Sequence, residues 1–217
     1  MKINFKRIEP KSKTMKSMVI FMHGYGADGA DLLSIGNVLA GQLPDTLFIA
    51  PDAPTRCKTS PVGFQWFPIP KMDGSSQSDA TSELDKVCLF TNEWIDDLIA
   101  SEGVREENVF LFGFSQGTML SLYMGPQRKA SLGGIIGFSG SLENIPSFKE
   151  RIQSYPPILL IHGDEDQVVD PNCLLKAFGV LQSLSFDVKK HTSHGVGHGI
   201  ASDGLNQALN FLKNNIT

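Results

Sequence analysis

One stretch near the middle of the chain, residues 109–120 with the sequence VFLFGFSQGTML, constrains the fold more than any other. Its first part is typical of a buried strand, its last part suits a helix, and between them stands the pattern Gly113-x-Ser115-x-Gly117. This combination predicts a sharp strand-to-helix turn that holds the Ser115 hydroxyl at the end of a sheet. Glycine on both flanks avoids the crowding that side chains would cause in so tight a turn. The free N–H groups at the start of the helix would face an anion beside the serine.

A second serine has a similar but incomplete setting. Ser139 lies in Gly137-Phe138-Ser139-Gly140-Ser141, which lacks the second flanking glycine and has no helical pattern directly after it. The short motif alone is a weak signal, because it also arises by chance, and its structural context must confirm it. A role for Ser115 therefore depends on whether the rest of the chain supplies a base, an acid and donors for an anion.

Composition narrows the class of protein. A length of 217 residues predicts one domain over 1–217, and a net charge of −4 argues against a nucleic-acid partner. No run of about 18 apolar residues exists and residues 1–8 precede no apolar run, so we expect no membrane span and no signal peptide. We therefore expect a cytoplasmic location. An odd number of cysteines without close pairing also favours a reducing compartment; they are Cys57, Cys88 and Cys173.

Short apolar runs alternate with helical patterns along the chain. The run at 18–22 is continuously apolar, as expected for a strand buried on both faces of a parallel sheet. The alternation predicts a mostly parallel sheet with helices on both faces, and the segment 139–157 is too short for a large lid domain. Predicted strands cover 18–22, 47–50, 109–112, 133–138, 157–161 and 186–191, with a further edge strand over 2–9. Predicted helices cover 32–39, 83–101, the segment after Ser115, 171–181 and 205–212.

Reactive side chains follow three of the predicted strands. His23, Ser115 and the segment 164–166 each come at a strand end, so a parallel sheet would place them on one rim. A serine nucleophile needs a base that is oriented by an acid, and in this type of fold the chain order is serine, acid, histidine. The order is satisfied by these candidates: Asp164, Glu165 and Asp166 as acids, and His191, His194 and His198 as bases. Spacing does not choose between Asp164 and Asp166, whereas the glycine-rich loop before the last helix favours His198 over His194.

An acyl-transfer site also needs about two donors for the oxyanion of the tetrahedral intermediate. The backbone N–H of Gln116, directly after the serine, is one candidate. The second is expected from the loop His23-Gly24-Tyr25-Gly26, with the N–H of Tyr25 favoured and those of Gly24 and Gly26 left open. We expect His23 itself to shape this loop rather than to react.

The segment 52–82 is irregular and proline-rich, and a loop of this length is more often functional than idle. We expect its part from 73 to 82 to be solvated. Phe64, Trp66 and Phe67 are candidate walls of a substrate pocket, and core packing beneath the loop is the alternative. The histidines after 190 are accompanied by no cysteine pair and no His-Glu-x-x-His pattern, so we expect no metal and no cofactor.

Several motifs together resemble the phospholipase/carboxylesterase family of α/β-hydrolases, which includes the acyl-protein thioesterases and small bacterial carboxylesterases. The resemblance implies an α/β-hydrolase fold with Ser115 as nucleophile, His198 as base and Asp166 as acid. Two positions depart from the family pattern: Tyr25 replaces a usual leucine and Thr118 a usual glycine, which puts the acyl pocket and the helix packing in question. The matching segments are His23 to Gly29, Pro51-Asp52-Ala53-Pro54, Gln65-Trp66-Phe67, Gly113 to Gly117, His162 to Val169 and Gly197-His198-Gly199-Ile200.

The resemblance also implies a function. We expect a serine hydrolase that cleaves carboxylic esters of short to medium acyl length through an acyl-serine intermediate. An acyl-protein thioesterase or a lysophospholipase is the alternative, and an inactive binding module is a remote one. The expected partner is a small-molecule ester or thioester, without nucleic acid or stable membrane insertion, and family members are often homodimers.

Overall fold

The architecture is described from a computed structural model, which covers residues 3–12, 14–143 and 145–217. Its central feature is a sheet of seven strands, with a separate two-stranded ribbon beside it. The edge strand predicted from 2 to 9 is present over its central part, and its first residue, Lys2, lies outside the described residues. The strands are β1 (Phe5–Ile8), β2 (Ser17–Met22), β3 (Thr46–Pro51), β4 (Thr55–Arg56), β5 (Phe64–Gln65), β6 (Val109–Phe114), β7 (Gly134–Phe138), β8 (Ile158–Gly163) and β9 (Val188–Ser193).

The order of strands in the large sheet is β1-β3-β2-β6-β7-β8-β9. Strand β1 is antiparallel to β3, and every other pair is parallel, as predicted. The register sets Met22 beside Gly113 and Phe114 beside Phe138, so β2, β6 and β7 end close together. The loops that follow these strands and β8 therefore share one rim of the sheet, where ligands bind in open α/β sheets.

Helices cover both faces of the sheet, which confirms the predicted fold class. The strand β2 shows how the two cores are built: Met18, Ile20 and Met22 pack towards α3 and α4, whereas Val19 and Phe21 pack towards α1. None of the helices in the described part of the chain combines the length and the hydrophobicity that a membrane span requires. The helices are α1 (Gly29–Leu39), α2 (Pro70–Asp73), α3 (Gln77–Glu102), α4 (Gln116–Met124), α5 (Ile145–Glu150), α6 (Asn172–Ser183) and α7 (Ser202–Asn215).

Helix α3 begins six residues before the predicted start at residue 83, so the expectation that the irregular segment extends to residue 82 is wrong. Most side chains from 73 to 82 are nevertheless exposed, as expected. Ser76 caps the helix: its hydroxyl accepts a hydrogen bond from the N–H of Asp79 at 3.0 Å and donates one to the Asp79 carboxylate at 2.8 Å. This Ser-x-x-Asp arrangement satisfies one N–H group, that of Asp79, which would otherwise lack a partner at the helix start. The far end agrees with the prediction, since Gly103 closes the helix with a φ of 66°.

Candidate active site

The turn between β6 and α4 holds Ser115 in a backbone conformation with φ 52° and ψ −115°. We call residues 113–117 the elbow. Its glycines are required by close approach of the backbone. A Cβ on Gly117 would lie 1.8 Å from the carbonyl oxygen of Met22, and a Cβ on Gly113 would lie 2.5 Å from the N–H nitrogen of Thr118. The predicted turn is therefore present, with Ser115 at the rim of the sheet.

Thr118 occupies space that two glycines of the neighbouring segment leave open. A Cβ on Gly137 or on Gly140 would lie 2.5 Å from the Thr118 side chain. The Thr118 hydroxyl donates a hydrogen bond to the carbonyl of Phe138 at 2.8 Å, and the N–H of Ser115 donates to the same carbonyl at 2.8 Å. The threonine thus joins α4 to the end of β7 and packs without displacing the elbow.

Two backbone N–H groups beside Ser115 are free to bind an anion. Among the described residues, neither the N–H of Gln116 nor that of Tyr25 donates a hydrogen bond. The N–H of Gly26, by contrast, donates to the carbonyl of Phe64 at 2.8 Å, which removes it from the alternatives that the sequence left open. The N–H of Gly24 likewise donates no hydrogen bond among the described residues, so Gly24 and Tyr25 both stay open as the second donor.

His23 holds the first of these loops in place. Its ring is buried, its Nε2 accepts a hydrogen bond from the N–H of Ala53 at 3.0 Å, and its Nδ1 lies 2.7 Å from the carbonyl oxygen of Gly24. Because Nε2 accepts, Nδ1 carries the proton and donates to Gly24. Burial lowers the pKa of the His23 ring, which favours this uncharged form. His23 therefore shapes the loop, as expected.

The Gln116 side chain connects the elbow to the segment that follows β5. Its Oε1 accepts from the N–H of Trp66 at 2.9 Å and its Nε2 donates to the carbonyl of Phe67 at 2.7 Å, and the whole side chain is buried. The indole of Trp66 donates to the carbonyl of His23 at 2.9 Å. Sequence reasoning missed this role of the Gln116 side chain, although glutamine directly after the serine is a visible feature.

The three aromatic residues expected as pocket walls differ in position. Phe67 lines the cavity at the rim. Trp66 is buried against His23, and Phe64 lies under the guanidinium of Arg56, so the expectation is corrected for these two. For Trp66 and Phe64 the alternative of packing beneath the loop is the correct description.

Asp166 lies at the centre of a hydrogen-bonded group after β8. Its Oδ1 accepts from the N–H groups of Val168 and Val169 at 2.8 and 2.9 Å. Its Oδ2 lies 2.7 Å from Nδ1 of His198 and 3.1 Å from Nε2 of His162. Burial opposes ionisation of the Asp166 carboxyl, but the bonds from His198 and from the two backbone N–H groups outweigh it, and the pKa of the carboxyl is lowered.

Two further pairs of an aspartate and a histidine lie near this rim. Oδ2 of Asp164 lies 2.7 Å from Nδ1 of His194, whose side chain is 85% exposed. Oδ2 of Asp203 lies 2.7 Å from Nε2 of His191, and this bond lowers the pKa of the Asp203 carboxyl to about 2. None of these four residues lines the cavity, whereas His198 does. The geometry therefore brings Asp166, rather than Asp164, to the histidine that the sequence favoured.

A cavity of about 580 Å³ opens beside the elbow and holds both Ser115 and His198 in its wall. Ser115 is 8% exposed, and the His198 ring packs on Phe114 with 4.9 Å between ring centroids. No hydrogen bond joins Ser115 to His198 within the part of the chain that is described. Such bonds often form only when substrate is bound. The rest of the wall is mainly apolar and includes Tyr25, Phe67, Ile69, Met72, Met119, Val168 and Val169.

Among the described residues, no group of three or more histidine, cysteine, aspartate or glutamate side chains is arranged to hold a metal ion. The cysteines Cys57, Cys88 and Cys173 are all free thiols. Cys173 lines the cavity, and burial raises the pKa of its thiol. A protonated thiol is a poor nucleophile, so within this cavity Ser115 is the better placed of the two candidates.

Known proteins of similar sequence and structure point to one group. The model of a family described as phospholipase/carboxylesterase matches residues 3–216. Acyl-protein thioesterase 1 of Neurospora crassa is 30% identical over 209 residues, which are 89% of this chain and 84% of that protein. A probable carboxylesterase of Oryza sativa subsp. japonica is 32% identical over 211 residues, covering 93% and 78%. The crystal structure of esterase PE8 superposes with a TM-score of 0.94 at 36% identity, covering 99% of this chain and 100% of that one.

Proposed function

The chain belongs to the phospholipase/carboxylesterase family and is a hydrolase, and we propose that it cleaves carboxylic esters through an acyl-enzyme on Ser115. The observation that carries the proposal is the 2.7 Å bond between Asp166 and His198, because His198 shares one cavity with Ser115. A histidine whose Nδ1–H is held by a carboxylate presents its Nε2 as a base. The free N–H groups of Tyr25 and Gln116 supply the two hydrogen-bond donors that the oxyanion of the tetrahedral intermediate requires.

The reaction follows from these positions. Nε2 of His198 takes the proton of the Ser115 hydroxyl as its oxygen attacks the ester carbonyl carbon. The negative charge that forms on the carbonyl oxygen is held by the N–H groups of Tyr25 and Gln116. His198 then gives its proton to the leaving alcohol as the carbon–oxygen bond breaks, and the acyl group stays on Ser115. Water, deprotonated by the same histidine, releases the carboxylic acid and restores the serine.

The cavity supports an acyl group of short to medium length. Its volume of about 580 Å³ is within the usual range for small-molecule sites, and its wall is mainly apolar. Met119 and Phe67 lie in the wall together with Ser115, so an acyl chain bound to the serine would contact them.

A second candidate is cleavage of acyl groups from protein thiols. It is favoured by the 30% identity to the acyl-protein thioesterase 1 of Neurospora crassa. The bond-breaking steps are the same, with a thiol as the leaving group. Competition between a thioester peptide and an ester of equal acyl length would decide between them, because the preferred substrate is the one with the higher kcat/KM.

The direct test is hydrolysis of p-nitrophenyl acetate, butyrate and octanoate, combined with labelling by a fluorophosphonate. We expect both activities in the wild-type protein and neither in Ser115→Ala. Ser139→Ala is the matched control, because Ser139 is also a buried serine with positive φ at a strand end but does not line the cavity. Full hydrolysis by Ser115→Ala would overturn the proposal, and so would loss of labelling in Ser139→Ala alone.

A further inference from the structure

His162 is a buried histidine at the end of β8 that the reaction above does not use. Its Nε2 lies 3.1 Å from Oδ2 of Asp166 and 3.1 Å from the carbonyl oxygen of Val169. The carbonyl oxygen of Val169 can only accept a hydrogen bond, so Nε2 of His162 must carry the proton. The ring is 2% exposed, and water therefore does not replace these contacts.

The carboxylate of Asp166 is held on both of its oxygens. Two backbone N–H groups fix Oδ1, and two imidazole rings share Oδ2. The ring of His162 approaches Oδ2 from β8, whereas that of His198 approaches it from the loop before α7. Without His162, the bond to His198 would be the one side-chain contact left on the oxygen that orients the base.

We propose that His162 is a positioning residue for the reaction, which directs Oδ2 of Asp166 towards His198 and limits the negative charge that this oxygen presents to the base. The inference rests on the function proposed above. A hydrogen-bond donor on a carboxylate oxygen spreads part of its charge onto the donor. His162 therefore orients His198 through Asp166. It also makes Asp166 stabilise the protonated form of His198 less than a carboxylate without this donor would.

The sign of the pH effect follows from this arrangement. Removing the donor concentrates negative charge on Oδ2, which stabilises the protonated form of His198. The acidic limb of the rate profile, below which His198 is protonated and inactive, should then move to higher pH. The other titratable side chains around this group remain in place in such a variant; they lie on the turn after β8, on α6 and in the adjoining loops: Asp164, Asp170, Cys173, Lys176, Glu143 and His194.

The test compares two substitutions by their kinetics on p-nitrophenyl butyrate. His162→Leu removes the donor, and we expect kcat to fall about tenfold with KM within twofold, because a bond to a charged group is lost away from the substrate. The midpoint of the acidic limb in the pH profile of kcat/KM should move to higher pH by about half a unit or more. His162→Gln keeps an N–H donor near the position of Nε2 and should recover most of both properties.

The matched control is His191→Leu. His191 also bonds to an aspartate, with 2.7 Å between Nε2 and Oδ2 of Asp203, but it lies on β9 outside the cavity. We expect its kcat and pH profile to match those of the wild type. The proposal is overturned if His162→Leu keeps the wild-type profile and a kcat within twofold. It is equally overturned if His162→Gln and His162→Leu lose the same activity, since His162 would then serve packing alone.

A measurement on the unaltered protein covers the case in which His162→Leu does not fold. In ¹⁵N spectra of histidine-labelled protein, the His162 resonances, identified by their loss in His162→Gln, should show a proton on Nε2. A proton on Nδ1 alone would overturn the proposal. The tautomer is read without turnover, so it separates failure of this inference from failure of the proposed function, which would appear as a wild-type protein that neither reacts with the fluorophosphonate nor cleaves the ester.

Discussion

Replacing Gln116 with methionine removes the connection between the elbow and the segment after β5. Two buried backbone groups, the N–H of Trp66 and the carbonyl of Phe67, then lose the partners that now lie at 2.9 and 2.7 Å. Each unpaired buried group costs about 1–2 kcal/mol, so the free energy of unfolding should fall by about 3 kcal/mol. For a chain of this size the midpoint of thermal unfolding should fall by about 9 °C.

Urea unfolding followed by fluorescence measures this change, provided that the slope with denaturant stays constant. Gln182→Met is the control, because Gln182 is exposed on α6 and the same substitution there should change stability by less than about 0.5 kcal/mol. The backbone N–H of Gln116 remains, so fluorophosphonate labelling below the unfolding transition should persist. A Gln116→Met protein within about 1 kcal/mol of the wild type would refute the reasoning that these two bonds hold the loop.

Three further predictions each concern the substitution of a single residue. Gly117→Ala should lower the free energy of unfolding by more than about 3 kcal/mol, because its Cβ would lie 1.8 Å from the carbonyl oxygen of Met22, and a variant of normal stability would contradict that contact. Gly179→Ala should instead raise it by about 0.5–1 kcal/mol in thermal unfolding, since nothing lies within 4 Å of the new Cβ on α6. The lowered pKa of the Asp166 carboxyl means that its stabilising effect is complete above about pH 5 and is lost as the pH falls through the lowered pKa. The stability difference between wild type and Asp166→Asn should therefore shrink in acid, and a constant difference across pH would contradict this.

The elbow could be predicted from sequence because its chemistry is local. Glycine at 113 and 117 on either side of Ser115 permits one tight geometry, and an apolar strand and a helix flank it. The parallel sheet could be predicted from continuous apolar runs. A strand that is buried on both faces carries apolar side chains on both, so its sequence does not alternate between apolar and polar residues. The start of α3 was missed although Ser76 and Asp79 have the spacing of a helix cap, because the surrounding polar composition favoured a loop.

The remaining site features depend on contacts between distant segments. Trp66 and Phe67 are adjacent in the chain, yet one is buried against His23 and the other lines the cavity, and composition does not distinguish them. The choice between Asp164 and Asp166 likewise depends on how the turn after β8 meets the loop before α7. Sequence reasoning assigns no role to His162, although a histidine directly before a Gly-x-x-Asp segment is a visible signal.

The central claim is that the acyl group passes through Ser115, and mass spectrometry of the protein quenched during turnover of p-nitrophenyl butyrate tests it directly. We predict a butyryl mass on the peptide that contains Ser115, and its absence in Ser115→Ala together with loss of turnover. Cys173 is the rival acceptor, because its thiol lines the same cavity. A butyryl mass on Cys173 instead of Ser115, or continued turnover in Ser115→Ala, would contradict the claim.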